Sequence, residues 1–258
     1  MSTFLFDKTI FGPVISRRLG ISLGINLLPN TRKICNFNCI YCECGWTYNS
    51  VSNEKLPSSS EVKELLENKL QNMKQLSQPL DVLTFAGNGE PTMHPEFSKI
   101  IDDTILLRNK YFPGVKIAVL SNSSLIHKKE VFEALNKIEM NILKIDSAFE
   151  DTCRLLNKPV GHFSISELIE RFQLFKGKII IQTMFIKGIF EGTEFDNTTE
   201  KEVNAWYEII KKIKPSHVMI YTIARDTPVE GIKKIPLRKL NEIAAGIKKL
   251  GITASVSD

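Results

Sequence analysis

Along the chain, short runs of β-branched residues alternate with longer stretches in which apolar positions recur every three or four residues. The short runs near 22–28, 81–86, 116–121, 141–146, 179–185 and 217–222 read as strands. The stretches near 60–74, 96–108, 128–137, 164–175, 199–213 and 237–250 read as amphipathic helices. Ser58 with Glu61, and Thr199 with Glu202, place capping-box patterns ahead of the first and fifth helices. Pro236 suits the start of the last helix. The run from Ile252 to Val256 reads as a short seventh strand.

Strand–helix units in succession predict a parallel sheet joined by right-handed crossovers. Six units are too few for the closed eight-fold barrel. The expected fold class is therefore α/β, a partial (β/α)6 TIM-like barrel open on one side. No linker rich in Gly, Pro or Ser splits the chain, and Pro57–Ser60 reads as a loop into a helix cap. Residues 1–258 read as a single domain, with a core at about 11–225 and a C-terminal helix and short strand at 236–256.

Composition narrows the setting. The 258 residues are 43% hydrophobic and 24% charged, ordinary for a globular protein. No apolar run approaches the roughly 20 residues that span a bilayer. The N-terminus has no basic segment followed by an apolar one, so the expected location is cytoplasmic. The net charge is +5, and basic pairs are scattered along the chain; those such as Lys211-Lys212 and Lys248-Lys249, in or near expected helices, read as solvated faces. That balance does not demand a nucleic-acid partner. Four of the five cysteines crowd into residues 35–44, which is metal-site clustering and implies a reducing compartment.

Cys35, Cys39 and Cys42 stand in the run Cys-Asn-Phe-Asn-Cys-Ile-Tyr-Cys. That spacing suits three thiolates on three corners of a [4Fe–4S] cubane, leaving the fourth iron without a protein ligand. An iron with an open position can bind a small molecule and pass it an electron. With the aromatic Tyr41 before the third cysteine, the spacing resembles that of the radical S-adenosylmethionine (SAM) superfamily. The loop follows the first expected strand, at the sheet edge where ligand sites of α/β folds collect.

Other strand ends extend the resemblance. Gly87-Asn88-Gly89-Glu90 is similar to the superfamily's Gly-Gly-Glu motif, with Asn88 in place of a glycine. There the resemblance implies contacts to the SAM amino group through exposed backbone carbonyls. Ser121, Asn122 and Asp146 end the third and fourth strands. The resemblance implies contacts from them to ribose or to the methionine carboxylate; on their own, Ser and Asn there also suit helix caps. Ile186-Lys187-Gly188-Ile189-Phe190-Glu191 resembles the adenine-side Ile-x-Gly-x-x-Glu motif and brings in Gly188. Gln182, on the strand before it, and Tyr221, at the end of the sixth strand where the resemblance implies backbone contacts to the adenine edge, join the expected cofactor residues. The segments Phe11–Gly20 and Ala86–Pro95 are similar to a subgroup of small iron–sulfur oxidoreductases related to wybutosine-synthesis enzymes, which act on tRNA.

The resemblance implies SAM and a [4Fe–4S] cluster as cofactors, and a flavodoxin- or ferredoxin-type reductant as partner. It implies reductive cleavage of SAM to a 5′-deoxyadenosyl radical that takes hydrogen from a substrate. That substrate is left open among tRNA, an anionic small molecule and a peptide, with no membrane partner. Arg17, Arg18, Arg32 and Arg225 are candidates for holding an anionic substrate, or for pairing with local carboxylates. Cys44 leaves an alternative open: a non-catalytic four-cysteine zinc or iron–sulfur site. An RNA-binding module is a further alternative. Cys153 reads as a small buried hydrophobe and His94 as a local hydrogen-bonder.

Overall fold

The computed structural model describes residues 4–47 and 55–258. Contacts within the chain divide it into two compact units. One comprises Leu5–Cys35 and Thr47–Asn141; the other comprises Asn36–Trp46 and Ile142–Asp258, with Phe4.

In the first unit, β1 (Ile10–Ser16) pairs antiparallel with β2 (Gly20–Ile25). Then β3 (Val82–Phe85) and β4 (Lys116–Ser121) add in parallel, with Ser22 opposite Val82 and Val82 opposite Lys116. All residues of β3 are buried, as in a parallel sheet covered on both faces. The helices are α1 (Ser59–Gln75), α2 (Phe97–Tyr111) and α3 (Lys129–Asn136); α1 packs on α2, and α2 on α3. Val62, Leu66, Leu70 and Met73 form the buried stripe of α1. Ser58 Oγ caps that helix by accepting from the Glu61 N–H at 3.3 Å.

In the second unit, β5 (Met140–Lys144, with its last three residues in this unit) lies parallel to β6 (Ile180–Met184). Parallel pairing continues to β9 (His217–Tyr221) and β11 (Thr253–Ser257). A separate antiparallel sheet is built from β7 (Ile186–Phe190), β8 (Thr193–Asp196) and β10 (Lys233–Lys234). The helices are α4 (Glu150–Asn157), α5 (Ile165–Leu174), α6 (Glu200–Ile213) and α7 (Leu237–Lys249). Trp206 of α6 is fully buried and meets Phe185 edge-to-face at 5.3 Å. Such a pair contributes about 0.5–1.5 kcal/mol beyond its area.

The six expected strands and six expected helices are present, as is the short strand at the C-terminus. Three features differ. Strand β1 lies outside the expected set: it carries Pro13, has a register shift between Phe11 and Val14, and is exposed from Gly12 to Ile15. An edge strand of that kind shows no alternation to read. Because β1 runs antiparallel, Arg17 and Arg18 lie in the β1–β2 turn, before β2 begins and not at the strand end that leads to the cysteines. Second, the expected continuation of strand β6 into Ile186–Glu191 breaks at Phe185, where the chain changes sheets. Third, α4 is an unexpected helix of eight residues. At Thr199 only half of the capping box forms. Thr199 Oγ1 accepts from the Glu202 N–H at 3.3 Å, while the Glu202 carboxylate instead takes Ser147 and Thr152 hydroxyls, each at 2.6 Å.

Candidate active site

The chain passes from the first unit to the second between Cys35 and Asn36, so Cys35 belongs to one and Cys39 and Cys42 to the other. In the first unit, the residue before Cys35 is fastened to the turn that follows β3. Ile34 N–H donates to the Asn88 carbonyl at 2.8 Å, and Glu90 N–H donates to the Ile34 carbonyl at 3.1 Å. Gly89 makes this approach possible: a Cβ there would stand 1.7 Å from the Ile34 oxygen, and its φ of +138° suits glycine. Asn88 is wholly buried and pins the turn with its side chain. Its Nδ2 donates to the Phe6 and Pro29 carbonyls at 2.9 and 2.8 Å, and its Oδ1 accepts from the Phe6 N–H at 2.9 Å.

Glu90 ties this turn to the end of β4. Its carboxylate accepts from Thr92 N–H (3.1 Å), Thr92 Oγ1 (2.5 Å), Ser121 Oγ (2.9 Å) and Asn122 N–H (2.6 Å). Burial pushes the Glu90 pKa up, and the hydrogen bonds from Asn122, Thr92 and Ser121 only partly oppose it. Asn122 Nδ2 then reaches Cys35 Sγ at 3.5 Å, while its Oδ1 accepts from Ser124 N–H and Oγ at 2.9 and 2.6 Å. Glu90 thereby holds the strand end that presents an amide donor to Cys35.

In the second unit the cysteine loop is fastened to the end of α4. Asn38 and Ile40 N–H groups donate to the Asn157 and Leu156 carbonyls, each at 2.9 Å, and Phe37 bridges to Pro159. The side chains form a buried network at the end of β5. Lys144 and Asp146, two residues apart, share a face. Tyr41 OH donates to Asp146 Oδ2, and Lys144 Nζ donates to Tyr41 OH. Asn157 Nδ2 reaches Asp146 Oδ2 at 2.7 Å and Tyr41 OH at 2.9 Å. Asp146 Oδ1 accepts from Met184 N–H at 2.9 Å, which ties the network to β6. Lys144 stands 3.6 Å from Asp146 Oδ2 and 4.5 Å from the centre of the Tyr41 ring. Both Lys144 Nζ and Asn157 Nδ2 approach Cys39 Sγ, at 3.5 and 3.6 Å.

Burial works to lower the Lys144 pKa, but the negative charges of Asp146 and Cys39 outweigh it and hold the ammonium protonated. Burial first, then Asp146 and Cys39, push the Tyr41 phenol up, so it remains a donor.

The expected site residues thus fall into two groups. Gly89, Glu90, Ser121 and Asn122 gather behind Cys35, and Tyr41 and Asp146 beside Cys39. The Gly87 and Asn88 carbonyls each accept a hydrogen bond, from Gly89 and Ile34 N–H. Gln182 is buried opposite Lys144, and Tyr221 lies opposite Met184. Gly188 belongs to the antiparallel sheet, where a Cβ would meet the Gly231 carbonyl at 2.5 Å. Close backbone packing accounts for that glycine. Arg225 pairs with Glu43 at 2.7 Å.

Lys144 and Asn157 lay outside the expected set. Lys144 had a readable signal, the strand-end pattern Lys-x-Asp; Asn157 had none, because its role depends on α4. Cys153 is buried and its thiol approaches the Ser147 carbonyl at 3.5 Å, with burial pushing its pKa up. His94 bonds locally, to the Pro57 carbonyl at 2.9 Å and Glu96 N–H at 3.1 Å.

Cys35, Cys39, Cys42 and Cys44 are all free thiols. Among the described residues, no three Cys, His, Asp or Glu side chains gather as one metal ion requires. A structural zinc ion needs four donors around a single point. A cubane spreads its thiolates over separate irons. Soft sulfur donors with N–H groups directed at Cys35 and Cys39 fit that group.

Solved structures share this architecture. A radical SAM methyltransferase from Sphaerobacter thermophilus aligns with 92% of this chain and 65% of its own, at a TM-score of 0.65 and 14% identity. SuiB of Streptococcus suis bound to S-adenosylmethionine aligns with 92% of this chain and 47% of its own, at 0.63 and 15%. TYW1 with a lysine-pyruvate adduct bound aligns with 90% and 74%, at 0.62 and 13%. At such identities the likeness shows the fold: α/β, of the partial-barrel type expected. In sequence, a UPF0026 protein of Helicobacter pylori is 33% identical over 230 residues, covering 87% of this chain and 69% of the relative. A protein of Brachyspira hyodysenteriae named GTPase Obg is 32% identical over 236 residues, 90% of this chain. This chain spans only 32% of that relative, and it has no Gly-x4-Gly-Lys-Ser/Thr phosphate loop. Residues 30–198 match the Radical SAM superfamily. The chain belongs to that superfamily, a class whose cofactors are S-adenosylmethionine and a [4Fe–4S] cluster.

Proposed function

We propose that Cys35, Cys39 and Cys42 hold the [4Fe–4S] cluster, and that SAM binds at its open iron. The observation that carries this reading is the three-cysteine spacing, together with N–H donors directed at the Cys35 and Cys39 sulfurs. When bound and reduced, this pair of cofactors supplies a 5′-deoxyadenosyl radical that takes hydrogen from substrate. The chain's own residues place and tune. Gly89 admits the backbone of Ile34 and so sets the approach to Cys35. Glu90 fixes Ser121 and Asn122, which stand at a strand end suited to SAM's polar groups. By its resemblance to the Gly-Gly-Glu motif, the Gly87–Glu90 turn is the proposed seat of SAM's ammonium group.

A flavodoxin- or ferredoxin-type protein is the proposed electron donor, and the cytoplasm the compartment, where free thiols persist. Among the described residues, no helix is long and apolar enough to cross a membrane. Resemblance to wybutosine-synthesis enzymes makes tRNA the first substrate class to test. Anionic small molecules and peptides follow.

The test is anaerobic reconstitution with iron and sulfide, then SAM and dithionite, with 5′-deoxyadenosine quantified. Wild type is expected to form it and Cys39→Ala to lose it. A wild-type chain with a full, reducible cluster and no product would overturn the reading.

A further inference from the structure

We propose that Lys144 and Asn157 are positioning residues that raise the reduction potential of the cluster, acting through Cys39 Sγ, with Asp146 as the counter-charge. This rests on the reading that Cys39 is a cluster ligand. Sulfur bound to iron carries negative charge that grows when the cluster gains an electron. Hydrogen-bond donors and a fixed positive charge beside it therefore favour the reduced form. Cys39 has both: the Lys144 ammonium at 3.5 Å and the Asn157 amide at 3.6 Å.

Neither group is free to swing away. Lys144 is held by Asp146 at 3.6 Å, by Tyr41 OH and by the face of the Tyr41 ring. The same Asn157 nitrogen also faces Asp146 Oδ2 and Tyr41 OH, so its two hydrogens are shared among three acceptors and the bond to Cys39 is the longest of them. Lys144 is 12% exposed and Asp146 is wholly buried, so solvent screens the pair little. Asp146 opposes Lys144 at the sulfur and is the farther of the two in bonding sequence, because it reaches Cys39 only through Lys144 and Asn157. Cys35, in contrast, receives the neutral Asn122 amide.

The test is a dye-mediated redox titration of the anaerobically reconstituted full chain without SAM, followed by electron paramagnetic resonance. The mediator gives up one electron and the cluster gains it. Lys144→Met is expected to make reduction about tenfold less favourable, about 59 mV more negative for one electron. Asp146→Asn is expected to shift the potential the opposite way, and Lys144→Arg to stay within about twofold of wild type. Opposite signs distinguish charge from packing, because loosening the site would move both variants alike. Unmoved potentials, or shifts of the same sign, overturn the proposal. A folded Lys144→Met chain that takes up no iron also overturns it, and makes the network a device for ligand placement. Should Lys144→Met fail to fold, Asn157→Ser decides: a smaller negative shift supports the proposal and none overturns it. Failure of the underlying reading looks different. There, wild type takes up no [4Fe–4S] cluster, or Cys39→Ala takes up as much as wild type.

Discussion

Two buried carboxylates stand just beyond the ends of parallel strands, Glu90 after β3 and Asp146 after β5, and their surroundings differ in kind. Glu90 is held by hydroxyl and backbone N–H donors from Thr92, Ser121 and Asn122. Asp146 is held by a phenol, two amides and a lysine ammonium. Neutral donors can satisfy a carboxylate's lone pairs without cancelling its charge, so burial still pushes Glu90 toward its protonated form. An ammonium at 3.6 Å cancels much of the charge on Asp146, and each then depends on the other. Glu90 is thus a clamp that keeps a turn and a strand end together. The Lys144–Asp146 pair is an electrostatic device beside a sulfur.

The sharpest way to break this comparison is Asp146→Ala. It leaves Lys144 buried without its counter-charge and removes the acceptor for Met184 N–H. The expected loss is about 3–5 kcal/mol, read by urea unfolding of the chain without cofactors. A loss below about 1 kcal/mol would show that the pair is not the dependent unit described.

Glu90→Gln is expected to cost less, about 1–3 kcal/mol, because the new amide N–H must face a donor. Its pH dependence carries more information. The folded-state pKa of Glu90 lies above its ordinary value of 4.5. The folded chain therefore holds this proton more tightly than the unfolded one. That contribution is fully present below pH 4.5 and is lost as pH rises through the folded value. The advantage of wild type over Glu90→Gln should then shrink from acid toward neutral pH. Parallel urea titrations across that range check the sign, and an advantage that grows with pH would contradict the neutral-donor account.

The strand–helix order was legible because each helix stripe and strand run is locally written. Val62, Leu66, Leu70 and Met73 announce α1 without reference to anything distant. The cysteine spacing was equally local. What stayed hidden depends on long-range contacts. Helix α4 has eight residues, no side-chain cap and few apolar positions, yet it places Asn157 on Cys39. Its local clues, Glu150 and Asp151 in the first turn and the Glu150–Arg154 pair, were too slight to stand out from loop. The Lys-x-Asp pattern of Lys144 is local, but its place beside Cys39 depends on Tyr41 and Asp146, which close around it only in the fold. Gly188 carries two signals that the sequence cannot separate: its place in a motif-like segment suggests a cofactor contact, and the Gly231 backbone leaves no room for a side chain there.

The smallest predicted effect sharpens the comparison from within the Glu90 cluster. Thr92→Val keeps the side-chain shape and the Thr92 N–H bond but removes the hydroxyl that donates to Glu90 Oε1 at 2.5 Å. Losing one of several donors should cost about 1 kcal/mol, less than Glu90→Gln and far less than Asp146→Ala. The hydroxyl favours the ionised carboxylate, so its removal raises the folded-state pKa of Glu90 further. More stability should then be lost as pH rises, and the pH profile of Thr92→Val should be steeper than that of wild type. Urea midpoints at acid and neutral pH measure this directly. A flatter profile, or a cost matching that of Asp146→Ala, would mean that Glu90 is held by charge after all and that the two carboxylates are alike.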